Sequence, residues 1–289
     1  MPDNPQPAPA AEFLLPEHRV LTLSGRDAAA FAQAQFMNDV AGLAIGQWQW
    51  NGWLTAKGRL LALFALLRRE EQTLWLLLPD ADPVELAAAL QRFVFRSKVA
   101  IEGRADLVVS GSFSQPISAS NAQIAEIERD RIELDMGAAG GPRALRIGAD
   151  AGATWDGSER WAAFDLEHGL PRLPPSQAGQ WTPQQLSLDR LRAYSVKKGC
   201  YPGQEIVART HFLGQAKRGL VLLEAEVPLT PGQEVGDGTR SIGTFVSVAP
   251  GDSRSLALAV LPLERDVRST LSAGNIELRE RALLDGLAR

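Results

Sequence analysis

Cysteine, histidine and long apolar runs are all scarce in this chain of 289 residues. Its one cysteine, Cys200, excludes an internal disulfide framework and fits a reducing compartment. The three histidines, His18, His168 and His211, lie far apart in sequence. With a single thiol they cannot assemble a zinc or iron–sulfur site within the chain, so no metal site is expected. No stretch approaches the ~20 apolar residues of a membrane span. Leu60–Leu67 stops at Arg68 and Arg69, and Leu74–Leu78 stops at Pro79. The opening MPDNPQPAPAAEF has neither a basic start nor an apolar core, so it does not read as a signal peptide. A soluble, cytoplasmic protein without membrane partners is expected. Excess positive charge is missing too: 30 Lys+Arg against 34 Asp+Glu gives −4. That balance argues against direct nucleic-acid binding. There is no P-loop and no Gly-x-Ser-x-Gly elbow.

What is present is the composition of a folded chain, 45% hydrophobic and 22% charged. Residues 1–12, rich in proline, read as a solvated arm. Val20–Leu23 predicts a strand, Asp27 to Met37 a helix, and the alternating Gln47–Trp53 a strand with Trp48 and Trp50 on one face. Lys57-Gly58 suggests a hairpin turn into Leu60–Leu67, followed by a strand at Thr73–Leu78. Asp82-Pro83 is a strong helix start, with the helix expected to reach about Phe95. Lys98–Ile101 returns as a strand. Further strands are expected at Leu107–Ser110, Ile132–Asp135 and Ala144–Ile147, with a short helix near Ala122–Ile127. Trp161–His168 is ambiguous between helix and strand, and Leu170–Gln180 is an irregular loop lying on a surface or lining a cleft. Beyond Gly214 short β-rich runs, at Gly219–Val227, Ser241–Val248 and Leu256–Val260, predict a small barrel or sandwich. The fold class expected is α+β.

The densest polar segment runs from Val196 to Thr210 and holds the only cysteine. Lys197 and Lys198 before Cys200, and Arg209 after it, would favour thiolate over thiol. Gly203 is placed to open a helix whose amides point back toward the sulfur. A solvated turn with an inert cysteine fits the same composition.

The order of residues in this segment, Lys198, Gly199, Cys200 and Tyr201, then Gly203, Gln204, Glu205 and Arg209, resembles the signature of the YgfZ-type folate-binding proteins. These are relatives of the glycine-cleavage T-protein. Gly214–Arg218, Glu167–Leu173, Leu23–Asp27 and Asn38–Val40 resemble other parts of that family, so the likeness runs from about Phe13 to the C-terminus. It implies a three-part cloverleaf of two α+β (ferredoxin-like) domains and a C-terminal β-barrel around a central folate cleft. The segments expected are 13–48 with 103–212 for the folate-binding domain, 49–102 for the second domain and 213–289 for the barrel. The resemblance also implies that Glu167 holds the pterin of tetrahydrofolate or a derivative. A carboxylate can accept two parallel hydrogen bonds from such an edge. Asp165 competes for that role. Trp161 is implied as a stacking partner, and His18 stands where the family has a second tryptophan.

In T-proteins the strand after the glycine turn carries an acidic pair. Ala62 and Leu63 stand there in this chain, and neither can move a proton. The function expected is therefore a tetrahydrofolate-binding accessory protein supporting iron–sulfur client enzymes, including tRNA-modifying ones. A folate-dependent aminomethyltransferase is one alternative. The other is a redox-sensing or interaction module in which Cys200 is the working residue and the folate cleft is vestigial.

Overall fold

Apolar residues that run without a break, as in Leu60–Leu67, form strands only where a sheet is covered on both faces. The computed structural model describes residues 11–150, 155–214, 216–250, 254–266 and 269–289. Its first part runs β1 (Phe13–Leu14), β2 (Arg19–Ser24), α1 (Ala28–Gln35), β3 (Trp48–Leu54), β4 (Leu60–Glu70), β5 (Thr73–Leu78), α2 (Pro83–Gln91) and β6 (Ala100–Gly103). Then come β7 (Val108–Ser112), β8 (Ala125–Ile127), β9 (Arg131–Asp135), β10 (Ala144–Gly148), α3 (Ser158–Glu167) and α4 (Gln204–Leu213). The last part is all β: β11 (Arg218–Ala225), β12 (Glu234–Gly236), β13 (Ser241–Pro250), β14 (Ser255–Pro262), β15 (Leu271–Ala273) and β16 (Ile276–Arg281).

Among the described residues these strands make two five-stranded antiparallel sheets, ordered β3-β4-β5-β2-β6 and β1-β7-β10-β9-β8, and a closed six-stranded barrel. The expected α+β cloverleaf is the architecture observed. The strand pairing departs from the expected segments, however. β2 hydrogen-bonds to both β5 and β6, so it lies inside the sheet built from 49–102. A cut at residue 48 would remove an interior strand and leave two bare edges. From residues 13–48 only β1 joins the other sheet.

The double burial of β4 explains its sequence. Ala62, Phe64 and Leu66 point to a core shared with α1 and α2, and Leu63, Ala65 and Leu67 point to a second core. That second core is joint: it unites Trp48 and Trp50 with Ile132 and Leu145 of the other sheet and with Leu220 and Leu258 of the barrel. Asp82 caps α2 as its residue type requires, accepting from the Val84 and Glu85 amides at 2.8 and 3.1 Å. The helix ends at Gln91, short of Phe95, which sits at φ +40 and cannot continue it. In place of the helix expected near 122–127, residues 125–127 form the edge strand β8, paired on one side with β9. The Trp161–His168 ambiguity resolves as the helix α3. No helix of the described residues is long and apolar enough to cross a membrane.

Candidate functional site

α3 presents different chemistry on different faces because residues two apart on a helix point about 200° apart. Trp161 and Asp165, four apart, share the inner face and are 0% and 1% exposed. Arg143, also fully buried, lies over the Trp161 ring at 3.9 Å and the Phe164 ring at 4.2 Å. Its Nη1 is 2.7 Å from Asp165 Oδ1, while Arg172 stands 4.0 Å from the other oxygen and pairs with Asp80 at 2.8 Å. Burial pushes the Asp165 carboxyl up, against the pull of Arg143 and Arg172. His18 packs edge-on to Trp161 at 6.3 Å, and its imidazole is held well below the usual histidine range by burial and then by the two arginines. Among the described residues, three buried polar atoms of this group, His18 Nδ1, Arg143 Nη2 and Trp161 Nε1, find no hydrogen-bond partner.

Glu167, two residues beyond Asp165, faces the barrel. It lines a cleft of about 820 Å³ between α3 and the β13–β14 hairpin, walled by Phe113, Trp155 and Phe164 with Arg160. Arg160 lies 3.9 Å over the Phe113 ring. Burial raises the Glu167 carboxyl, opposed by Arg281. Trp161 sits directly behind this wall, 6.0 Å from Phe113, without surface of its own in the cleft.

The cysteine segment is built elsewhere. Gly203 caps α4 at φ +79, and a Cβ there would meet Thr55 O at 2.6 Å and the Gly58 backbone at 2.7 Å. The β3–β4 hairpin therefore docks against the start of α4. Lys198 does not turn toward Cys200 as its spacing suggested. It is buried, and its Nζ donates to the carbonyls of Gln33, Phe36 and Asn38 at 2.6, 2.6 and 3.0 Å, closing the end of α1. Burial pulls its amine down to about 8, with Asp39 opposing. Gln204 bonds the Lys198 carbonyl at 3.1 Å and Tyr201 bonds the Ser195 carbonyl at 3.1 Å, so both side chains brace the loop. Cys200 is exposed, and so are Gly199, Glu205 and Arg209. None of residues 196–210 lines the cleft beside Glu167.

No family model matches the chain. Individual relatives do. The tRNA-modifying protein YgfZ of Vibrio vulnificus is 30% identical over 301 aligned positions, covering 94% of this chain and 90% of its own. That of Edwardsiella ictaluri is 30% identical over 278, covering 85% and 84%. The chain belongs to the YgfZ family.

The fold of this YgfZ-family chain is shared with the glycine cleavage system aminomethyltransferase T of Bartonella henselae. That structure superposes with a TM-score of 0.73 at 17% identity, covering 96% of this chain and 86% of the other. In this chain Ala62 and Leu63 pair with Trp53 and Gly52 inside the β3–β4 ladder and are buried. Sequence reasoning missed Arg143, Arg172 and Asp80, the charges around Asp165, and it missed Phe113 and Trp155, the walls of the cleft. Arg143 follows a Gly-Gly-Pro turn and carried no local sign of burial. Arg172 lies in the Leu170–Gln180 loop, whose expected place along a cleft was the one available hint.

Proposed function

We propose that this chain binds a reduced folate, tetrahydrofolate or a derivative, and acts as an accessory protein for iron–sulfur client enzymes, including enzymes that modify tRNA. The observation that carries the reading is Glu167 lining an aromatic-walled cleft of about 820 Å³. That volume falls within the ~300–1,000 Å³ typical of small-molecule sites. Phe113, Trp155 and Phe164 offer flat apolar faces to a pterin or benzoyl ring. Glu167 offers two acceptor oxygens for the pterin's paired donors, and Arg160 supplies the cation that a glutamyl tail requires. The unpartnered Trp161 Nε1 and His18 Nδ1 behind the wall fit a polar heteroaromatic neighbourhood better than a purely packed core. The name of the relatives, tRNA-modifying protein, supports the second half of the reading. Ala62 and Leu63 supply no proton-transfer group, which favours binding without aminomethyl transfer. Cys200, exposed on its own surface, is the residue proposed to act toward a client.

Calorimetric titration with tetrahydrofolate tests the folate site. Losing a charge-assisted acceptor costs about 1.5–3 kcal/mol. Glu167→Gln should therefore weaken binding about tenfold to a hundredfold while leaving the urea midpoint unchanged. An unchanged affinity would remove Glu167 from the site.

A further inference from the structure

The face formed by α4 and the β3–β4 hairpin carries a local excess of positive charge on an acidic chain. From Val196 to Arg218 there are five basic residues against one acidic, within a protein of net charge −4. Lys57, at the hairpin tip packed on Ile206, and Lys197 and Arg209 are exposed, and none of the three forms an ion pair with a described residue. Some surface arginines elsewhere are neutralised, as Arg19 is by Asp82 and Arg104 by Asp106. One turn beyond Arg209, on the same ridge of α4, Phe212 and Leu213 are 66% and 84% exposed. Cys200 is exposed just before the other end of this helix, whose ten residues span about 15 Å.

We propose that this face docks a partner protein through an acidic segment anchored by apolar side chains. Adjacent large apolar groups left in water mark an interaction surface, since burying them on a partner is favourable. Arg209 one turn away from them, with Lys57 and Lys197 by the start of α4, selects a partner of negative charge and speeds its approach. Phe212 could stack on a base, but Leu213 offers an RNA nothing comparable, and the pair fits an apolar pocket better. Docking along the ridge would hold the partner beside the Cys200 thiol. No residue of this face lines the Glu167 cleft, so the proposal stands apart from folate binding.

The test uses the full chain without folate, labelled at Cys200, its only thiol, with an environment-sensitive fluorophore. It is titrated at low salt with a short peptide of alternating glutamate and leucine, and separately with an oligouridine of matching charge. The expected result is a saturable response to the peptide that fades as salt rises. Arg209→Glu should weaken it roughly tenfold, and Phe212→Ser comparably. Circular dichroism confirms that both exposed-site variants fold. A response to oligouridine alone would assign the face to RNA and overturn the proposal. Silence toward both probes, or a peptide affinity indifferent to both substitutions, would overturn it as well.

Discussion

His18 shows how burial converts an ordinary side chain into a source of acid sensitivity. Its pKa is held well below 6.5 by desolvation, and the charges of Arg172 and Arg143 add to the effect. In the unfolded chain the same imidazole takes up a proton as pH falls through 6.5, while the folded one stays neutral. The unfolded state then binds more protons, so stability falls with decreasing pH by up to ~1.4 kcal/mol per unit below the unfolded pKa. His18→Asn should flatten the plot of urea midpoint against pH between about 5 and 6.5. His168, also lowered by burial, acts with the same sign and leaves a residual slope. A variant with the wild-type slope would show that His18 takes up its proton in the folded protein and that its surroundings tolerate the charge.

The start of α4 depends on two glycines with opposite tolerances. Gly203 adopts φ +79 against the backbone of Thr55 and Gly58, so a side chain there is strained in conformation and blocked in space. Gly199, four residues earlier, has nothing within 4 Å of its would-be Cβ. Gly203→Ala should cost more than about 2 kcal/mol in urea unfolding, since the left-handed conformation alone costs about 1–2. Gly199→Ala should change stability by no more than about 0.5 kcal/mol. Equal effects would mean that α4 does not seat on the hairpin. The same docking explains Lys198, which ties the loop before α4 to the carbonyls of Gln33, Phe36 and Asn38 at and just after the end of α1.

The three sheets are joined by one core and tied off by the C-terminal tail. Trp50 donates its indole N–H to Leu287 O at 2.7 Å, Leu284 N bonds Glu167 O at 2.8 Å, and Leu287 is 1% exposed. Arg289 reaches the Asp135 and Gly137 carbonyls at 2.9 and 3.0 Å. Removing residues 283–289 would empty the Leu287 site and leave the Trp50 N–H unpaired. A loss of at least about 3 kcal/mol is expected from those two effects together. Tryptophan fluorescence and far-UV circular dichroism should still report a single coincident transition, at a lower midpoint, because the joint core spans all three sheets. Two separated transitions would show that the sheets unfold independently.

Local chemistry was legible where neighbours in sequence are neighbours in space. The Asp82-Pro83 cap, the hairpin at Lys57-Gly58, the strands of alternating or unbroken apolar residues and the β-rich end all follow from backbone geometry and side-chain periodicity. The ordered motif around Cys200 carried the family with it. Other features depend on contacts between distant segments. β2 joined the sheet of β5 because its ladder partners lie about fifty residues on. Lys198 turned away from Cys200 because three carbonyls at the end of α1 satisfy its ammonium better than solvent beside a thiol. Asp165 and Glu167 were equivalent as letters and became opposite as positions. The helix turned one into a buried cluster whose arginines come from residues 143 and 172, and the other into a cleft whose far wall is the barrel. Periodicity says which residues share a face, but burial and charge pairing on that face are set by whatever the rest of the chain packs against it.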